Sequence, residues 1–391
     1  MIPITKPLLD ESEAEAAAAV VRTGWLSQGA QVAAFEAEFG ARVGAPHACA
    51  VSNCTAALHL TLMVAGVGPG DEVVTVSHSF IATANVVRQC GAAPIFVDID
   101  PLTYNLDPDR LEAAITPRTR AVLCVHQIGM PCDLARILPI ADGHGLAVIE
   151  DAACAIGSEI RVNGQWSPVG APHADAACFS FHPRKVITTG EGGMLTTRHA
   201  EWDRQFRLLR QHGMSVSDAV RHHSDQVVFE DYLVSGFNYR MTDIQAAIGR
   251  RQLQRLSGII GRRRELAGRY RELLADVPTV RAPFEPDWAR SNWQSYAVGL
   301  PDNADQGRVM QSMLEMGVAT RRGVMCAHLE PAYAAETAPP LPASEAAQGR
   351  TILLPLYPQM THAEQVAVVE ALRTALDAEP AWRRLLRGGL G

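Results

Sequence analysis

Lys185 lies in the stretch Phe179-Ser180-Phe181-His182-Pro183-Arg184-Lys185, and Thr189-Gly190-Glu191-Gly192-Gly193 follows closely. A lysine amine freed of its proton in a desolvated place beside a cationic group is a nucleophile toward carbonyl carbon. The glycines allow sharp backbone turns close to a ligand. Ser180 offers a hydroxyl to a phosphate. A lysine after a strand is more often a solvated surface residue, so the chemistry depends on what else the chain supplies.

Two other segments supply it. Asp151 ends the apolar run Ala147-Val148-Ile149-Glu150-Asp151, and the carboxyl end of a central strand is where ligands sit in open α/β sheets. There a carboxylate would favour the protonated form of a pyridine ring. Glu150 would point to the opposite face if the strand continues. Ser52-Asn53-Cys54-Thr55-Ala56-Ala57-Leu58-His59 follows a strand and opens an apolar helix. Free N–H groups at such a helix start bind phosphate, although a plain N-cap would use the same residues. Phe80, in Ser77-His78-Ser79-Phe80-Ile81, is placed to stack on a flat ring or to pack in the core. Lysine, carboxylate and anion-binding helix end together point to pyridoxal 5'-phosphate (PLP), whose cationic ring is an electron sink.

The elements that must position these groups alternate. Strands are predicted over His47–Ser52, Glu72–Val76, Pro94–Asp98, Arg120–His126, Leu146–Glu150, Ala176–Phe181 and Gly193–Thr197, as apolar runs bounded by turn residues. Helices are predicted to start near Ser12, Val32, Thr55, Ile81, Asp109, Asp133, Trp202 and Thr242. The alternation implies an α/β fold with a mostly parallel sheet covered on both sides. A long charged helix begins near Arg250, and the rest reads as a smaller α+β domain closing with a helix from about Ala363 to Leu376. Pro339, Pro340 and Pro342 are read as an exposed loop. The expected division is a large domain over 1–250 and a small one over 251–391, the N-terminal segment packing on the small domain.

Composition narrows the function classes. The chain has 391 residues, 47% hydrophobic, and a net charge of -7. That is enough for two domains, and without a long basic run nucleic acid is excluded as a partner. The 8 cysteines show no metal-like spacing and fall in apolar contexts, so free thiols and no metal are expected. His222-His223-Ser224-Asp225 reads as a solvated loop rather than a metal patch. Gly66-Val67-Gly68-Pro69-Gly70 follows a helix and precedes a strand, the reverse of a dinucleotide fingerprint. No signal core or membrane-length apolar segment is read, so no membrane partner and a cytoplasmic location are expected.

From about Gly24 to Met360 the chain resembles the DegT-type sugar aminotransferases, PLP enzymes of the aspartate-aminotransferase fold. The resemblance rests on Phe35-Glu36 with Phe39, Ser52 to His59, Gly68-Pro69-Gly70-Asp71-Glu72-Val73 and Phe96-Val97-Asp98-Ile99-Asp100. It continues through Ile149-Glu150-Asp151-Ala152-Ala153, Phe179 to Gly193 and Asn238-Tyr239-Arg240-Met241-Thr242-Asp243.

The resemblance implies that Lys185 is the Schiff-base lysine and proton shuttle. It places Asp151 on the pyridinium nitrogen, Phe80 on the ring, and Thr55, Ala56 and Ser180 on the phosphate. Asn238 would reach the cofactor of a neighbouring subunit, giving a homodimer with shared active sites. His328, before Glu330-Pro331-Ala332-Tyr333, matches a histidine near the substrate opening. The chain departs from the family's usual residues at Cys54, where glycine is frequent, and at Cys154, where Gln or His stands near the cofactor's phenolic oxygen. The common His-Tyr pair is absent around Thr320-Arg321-Arg322-Gly323-Val324.

The reaction so implied moves an amino group from L-glutamate or L-glutamine to a keto sugar, expected to be nucleotide-linked. Arg240, Arg321 and Arg322 are candidates for carboxylate or phosphate recognition. A cyclitol ketone or other non-nucleotide carbonyl is the alternative acceptor, and a PLP-binding regulatory protein with little turnover is the alternative class.

Overall fold

The computed structural model describes residues 1–216, 221, 224–335 and 338–377. His222 and His223 lie outside the described residues. The chain opens with helices α1 (Glu11–Thr23) and α2 (Ala30–Val43). Then follow β1 (His47–Val51), α3 (Cys54–Val64), β2 (Glu72–Val76), α4 (Ala82–Gln89) and β3 (Ala93–Val97). After a short helix α5 (Pro108–Leu111) come β4 (Thr119–Val125), α6 (Leu134–Gly143) and β5 (Ala147–Asp151). A hairpin, β6 (Glu159–Val162) and β7 (Gln165–Pro168), precedes β8 (Ala176–Ser180), β9 (Gly193–Thr197) and α7 (Ala200–Leu209).

Seven of these strands form one sheet in the order β1-β9-β8-β5-β4-β2-β3. The pairings of β8, β5, β4, β2 and β3 are all parallel, and β9 runs antiparallel to both its neighbours. β1 therefore points the same way as β8. The central strands β2, β4 and β8 are mostly apolar, with nearly every residue buried, as strands covered on both faces require. One consequence governs the site. Val51, Val76, Val125, Asp151 and Ser180 all end their strands at the same edge of the sheet, and β9 begins there.

The seven predicted strands lie within a residue or so of those observed. The 12 residues from Phe181 to Gly192 that join β8 to β9 contain no helix. A connection without a helix suits the antiparallel return that they make.

A 32-residue helix, α8 (Asp243–Leu274), is started by a capping box between Thr242 and Gln245. At about 1.5 Å per residue it extends roughly 48 Å. Its first half, including Ala246, Leu253 and Ile260, packs with Phe35, Phe39, Phe179 and Phe181. Its second half, Leu266 to Leu274, packs in a different core with Tyr296, Val309, Ile352 and Leu372. The expected boundary at 250 thus falls inside one continuous helix that enters both cores.

Beyond it lie β10 (Ala289–Arg290), which extends the β6–β7 hairpin, β11 (Tyr296–Gly299), α9 (Gln306–Glu315), β12 (Arg321–Arg322), α10 (Pro342–Arg350), β13 (Thr351–Leu354) and α11 (His362–Asp377). β11, β13 and β12 form a small antiparallel sheet. Ile2 bridges to Val318 and packs against this second core.

Pro342 corrects the reading of a loop through that residue. It starts α10, because a proline's fixed φ and missing N–H suit the first helical turn. The buried Asp98 carboxylate accepts hydrogen bonds from the Ala343 N–H at 2.9 Å and the Ser344 N–H at 2.8 Å. These bonds tie α10 to the end of β3. Against its desolvation, the Ser344 hydroxyl, with these amides, holds Asp98 below the ordinary carboxylate range.

Candidate active site

Two cavities of about 610 Å³ each meet at the carboxyl edge of the sheet. The first lies between the start of α3, the end of β5 and the β8–β9 connection. Its lining includes Thr55, Ala56, Phe80, Asp151, Ser180 and Tyr239. The second lies between that connection and the second core, against Gln294, Thr320, Arg321, Arg322 and Leu354. Phe80, Gln127, Cys154, Arg184 and Lys185 line both. The lysine therefore stands at the junction of two chambers, each of a size that ordinarily encloses a small ligand.

Lys185 Nζ donates to Cys154 Sγ at 3.0 Å. Burial pulls the lysine's pKa down, but the sulfur of Cys154, with Cys54 and Asp151, outweighs it, so the group lies above its ordinary value. Burial pushes the Cys54 thiol well up, so that thiol is neutral near pH 7. The lowered pKa expected of a lysine beside a cationic ring is thus not what the protein's own groups impose.

Asp151 is 6% exposed. Its Oδ2 accepts from the Thr83 hydroxyl at 2.8 Å and its Oδ1 from the Ala153 N–H at 3.2 Å. Two donors fix the carboxylate while one edge faces the first cavity. Glu150, one residue earlier, pairs instead with the buried His126 Nε2 at 2.7 Å, as strand alternation demands. The His126 Nδ1 accepts from the Cys132 N–H at 2.9 Å, so Nε2 is the nitrogen that carries the proton toward Glu150.

The start of α3 is capped by Asn53, whose Oδ1 accepts the Ala56 N–H at 2.8 Å. That amide, expected to meet a phosphate, already has an internal partner here. Ser180 Oγ accepts weakly from the His182 N–H at 3.4 Å and keeps its own proton to donate. Phe80 is 65% exposed, so it is not part of the core and presents its ring at the cavity wall. A fixed carboxylate, a lysine, a helix start and a bare aromatic face around one chamber fit a phosphorylated pyridine.

Gly193 builds this chamber from behind. An added Cβ would meet the Asn53 carbonyl carbon at 2.5 Å, its oxygen at 2.6 Å and the Cys54 nitrogen at 2.8 Å. The close approach of β9 to the turn before α3 therefore requires glycine. Gly193→Ala is expected to cost about 1–3 kcal/mol of stability, as over-packing does. It should also weaken cofactor retention by moving Thr55 and Ala56. Thermal unfolding with and without added PLP measures both.

Three expected site residues stand elsewhere. His328 does not line either cavity. Its Nδ1 lies 2.6 Å from Ser77 Oγ and its Nε2 3.4 Å from Glu345, so it bridges the end of β2 to α10. Arg240 bridges to Val51 and leaves one guanidinium nitrogen buried without a partner, outside both linings. Asn238 is exposed and pairs through its backbone with Gln211. Arg321 and Arg322 do face the second cavity, on the exposed strand β12.

Sequence reasoning gave no role to Gln127, Arg184, Asn292 or Gln294. Gln127 follows a strand end, the same signal that singled out Asp151. Asn292 has no local signal, since its partners Cys154 and Ile156 are more than a hundred residues away. Among the described residues no group of three or more His, Cys, Asp or Glu is placed to hold a metal. No described helix is long and apolar enough to cross a membrane.

Comparison with known proteins agrees with this geometry. A profile of the DegT/DnrJ/EryC1/StrS aminotransferase family matches residues 7–373. The spore coat polysaccharide biosynthesis protein SpsC of Bacillus subtilis (strain 168) is 40% identical over 380 residues, covering 95% of this chain and 96% of that protein. GDP-perosamine synthase of Caulobacter vibrioides is 39% identical, covering 96% and 98%. The crystal structure of the aminotransferase TlmJ from Streptoalloteichus hindustanus superposes with a TM-score of 0.88 at 33% identity, over 96% of this chain and 99% of that one. A lysine between two chambers is what a transfer enzyme with one cofactor and one changing substrate needs. The chain belongs to the DegT/DnrJ/EryC1/StrS family, as a PLP-dependent aminotransferase of sugar biosynthesis.

Proposed function

We propose that this aminotransferase takes its amino group from L-glutamate or L-glutamine and delivers it to a nucleotide-linked keto sugar. The observation that carries the reading is the pair of cavities joined at Lys185. The first would hold the cofactor and the second would hold donor and acceptor in turn. Bound PLP supplies an electron sink for the carbon from which a proton is removed. Asp151 would hold a negative charge at the ring nitrogen, Phe80 would cover one ring face, and Thr55, Ala56 and Ser180 would receive the phosphate. Ala56 would exchange its bond to Asn53 for one to the phosphate or share the two. Cys154, already hydrogen-bonded to Lys185, would lie on the side of the ring's oxygen. Lys185 would be the residue that holds the cofactor and, once free, the base that carries a proton to and from the substrate carbon.

Arg184, Arg321 and Arg322 give the second cavity a positive side, suited to the donor carboxylate and to a diphosphate. Arg240 and His328 then act from outside the cavities, His328 by fixing Ser77. The relative named for a GDP-linked product supports a nucleotide-linked acceptor.

The assembly proposed is a homodimer with shared sites, and the division into a large domain over 1–250 and a small one over 251–391 is kept as its protomer plan. Val227, Phe229, Tyr232 and Leu233 are 62–87% exposed, an apolar ribbon that a second copy would cover, with the exposed Asn238 beside it. All cysteines are free, which suits a reducing, cytoplasmic setting.

The test is spectroscopic, followed by product analysis. Purified protein with PLP should show a lysine-dependent visible band that L-glutamate or L-glutamine discharges. A GDP- or TDP-linked keto sugar should then restore the band and appear as an amino sugar by mass spectrometry. Restoration only by a cyclitol ketone would remove the nucleotide sugar from the reading and leave transamination standing.

A further inference from the structure

The contact between Lys185 Nζ and Cys154 Sγ at 3.0 Å is built rather than incidental. Asn292 is fully buried, and its Nδ2 donates to the carbonyls of Cys154 at 2.8 Å and Ile156 at 2.9 Å. Its Oδ1 accepts the Gln294 N–H at 2.9 Å, and Gln294 Nε2 donates to the Arg184 carbonyl at 2.9 Å. Two residues shortly after β10, Asn292 and Gln294, thus grip the backbone on both sides of the sulfur–nitrogen pair. Gly129 packs so closely on Asn292 that a side chain there would collide with its carboxamide.

An ammonium has no lone pair, so Lys185 can attack or accept a proton only after losing one. That proton needs an acceptor within reach of Nζ, and Cys154 Sγ lies 3.0 Å away. We propose that Cys154 is its store: while Lys185 is free of the cofactor the pair is ammonium and thiolate, and the proton passes from Nζ to Sγ when the amine is required. One N–H bond breaks and one S–H bond forms, with no change in net charge, no electron transfer and no co-reactant. The role rests on Lys185 being the reactive lysine.

The surroundings support that charge arrangement. Cys154 is the largest of the influences that hold the lysine above its ordinary pKa, against its burial. In the first cavity the other ionisable groups are Cys54 from α3, His126 and Asp151 from the ends of β4 and β5, and His182 and Arg184 from the lysine's own connection. Glu191 and Tyr239 complete that wall. Arg321 and Arg322 face the pair from β12. Three guanidiniums favour a thiolate, Asp151 and Glu191 oppose it, and the Cys54 thiol is neutral.

The test uses cofactor-free protein and iodoacetamide near pH 7, reading the Cys154 peptide by mass spectrometry. Cys90, the other half-exposed thiol, is the internal reference. Wild type should alkylate Cys154 about tenfold faster than Lys185→Met, because only the thiolate reacts. Lys185→Arg, which keeps the cation, should retain most of the rate. Should Lys185→Met fail to fold, the near-isosteric Cys154→Ser supplies the reciprocal measurement: Lys185 should be acetylated by acetic anhydride several-fold faster once its anionic partner is gone. Equal Cys154 rates in wild type and Lys185→Met, or an unchanged acetylation rate in Cys154→Ser, overturns the proposal. A wild type with a lysine-dependent PLP band but equal rates loses only the proton store. A wild type without that band loses the functional reading itself.

Discussion

Lys185→Ala is expected to lower transamination by more than about 10³-fold, since general acid–base contributions alone run to 10²–10⁴ and the side chain would also lose its covalent role. The fold should survive. The amine bonds to one side chain, Cys154, at a cavity junction, so truncation enlarges a space that is already open rather than leaving a sealed void. The thermal midpoint should shift by only a few degrees and the far-ultraviolet spectrum should not change. Lys185→Arg separates charge from chemistry. A guanidinium can keep the contact to Cys154 but cannot release a proton in the working range, so this variant should be as inactive as alanine while binding the cofactor's phosphate normally. Activity recovered by adding a small primary amine to Lys185→Ala would assign the loss to the missing base. Turnover within tenfold of wild type in either variant would remove Lys185 from the chemistry.

What could be read from the chain beforehand follows from how local each signal is. The strands β2, β4 and β8 are mostly apolar runs between turns, and such strands identify themselves. Asp151, Ser180 and Lys185 were legible for the same reason, since each sits at or just after the end of such a run. The β6–β7 hairpin escaped notice although its turn was written in the sequence. Asn163 and Gly164 adopt φ of 50° and 79°, as an Asn-Gly hairpin turn prefers. The flanking strands have only four residues each and mixed burial, too little periodicity to register.

His328 and Arg240, expected at the site, lie outside both cavity linings. A motif fixes where a residue lies along the chain, whereas the wall that it faces depends on contacts made by Ser77, Glu345 and Val51 far away in sequence. Asn292 and Gln294 failed for the converse reason. Both are ordinary polar residues whose purpose exists only once Cys154 and Arg184 have been brought to them.

Asp151→Asn should lower the turnover number by about 10²–10³-fold, the range seen when one preorganised electrostatic group is removed from a reacting centre. The substitution is nearly isosteric. Asn can still accept the Ala153 N–H through Oδ1, and the Thr83 hydroxyl, now facing an amide NH₂, can rotate to accept from it, so both present hydrogen-bond positions can be refilled. What disappears is the negative charge beside the ring nitrogen, and with it the preference for a protonated ring. Cofactor affinity should fall much less than turnover, because Thr55, Ala56, Ser180 and Phe80 are untouched. The pattern distinguishes an electronic role from a merely structural one. A cofactor analogue bearing a fixed positive charge on that nitrogen should narrow the gap between Asp151→Asn and wild type, since it supplies the cation without the carboxylate. An affinity loss as large as the turnover loss, with no recovery by the charged analogue, would mean that Asp151 holds the chamber's shape and leaves the ring's charge to other groups.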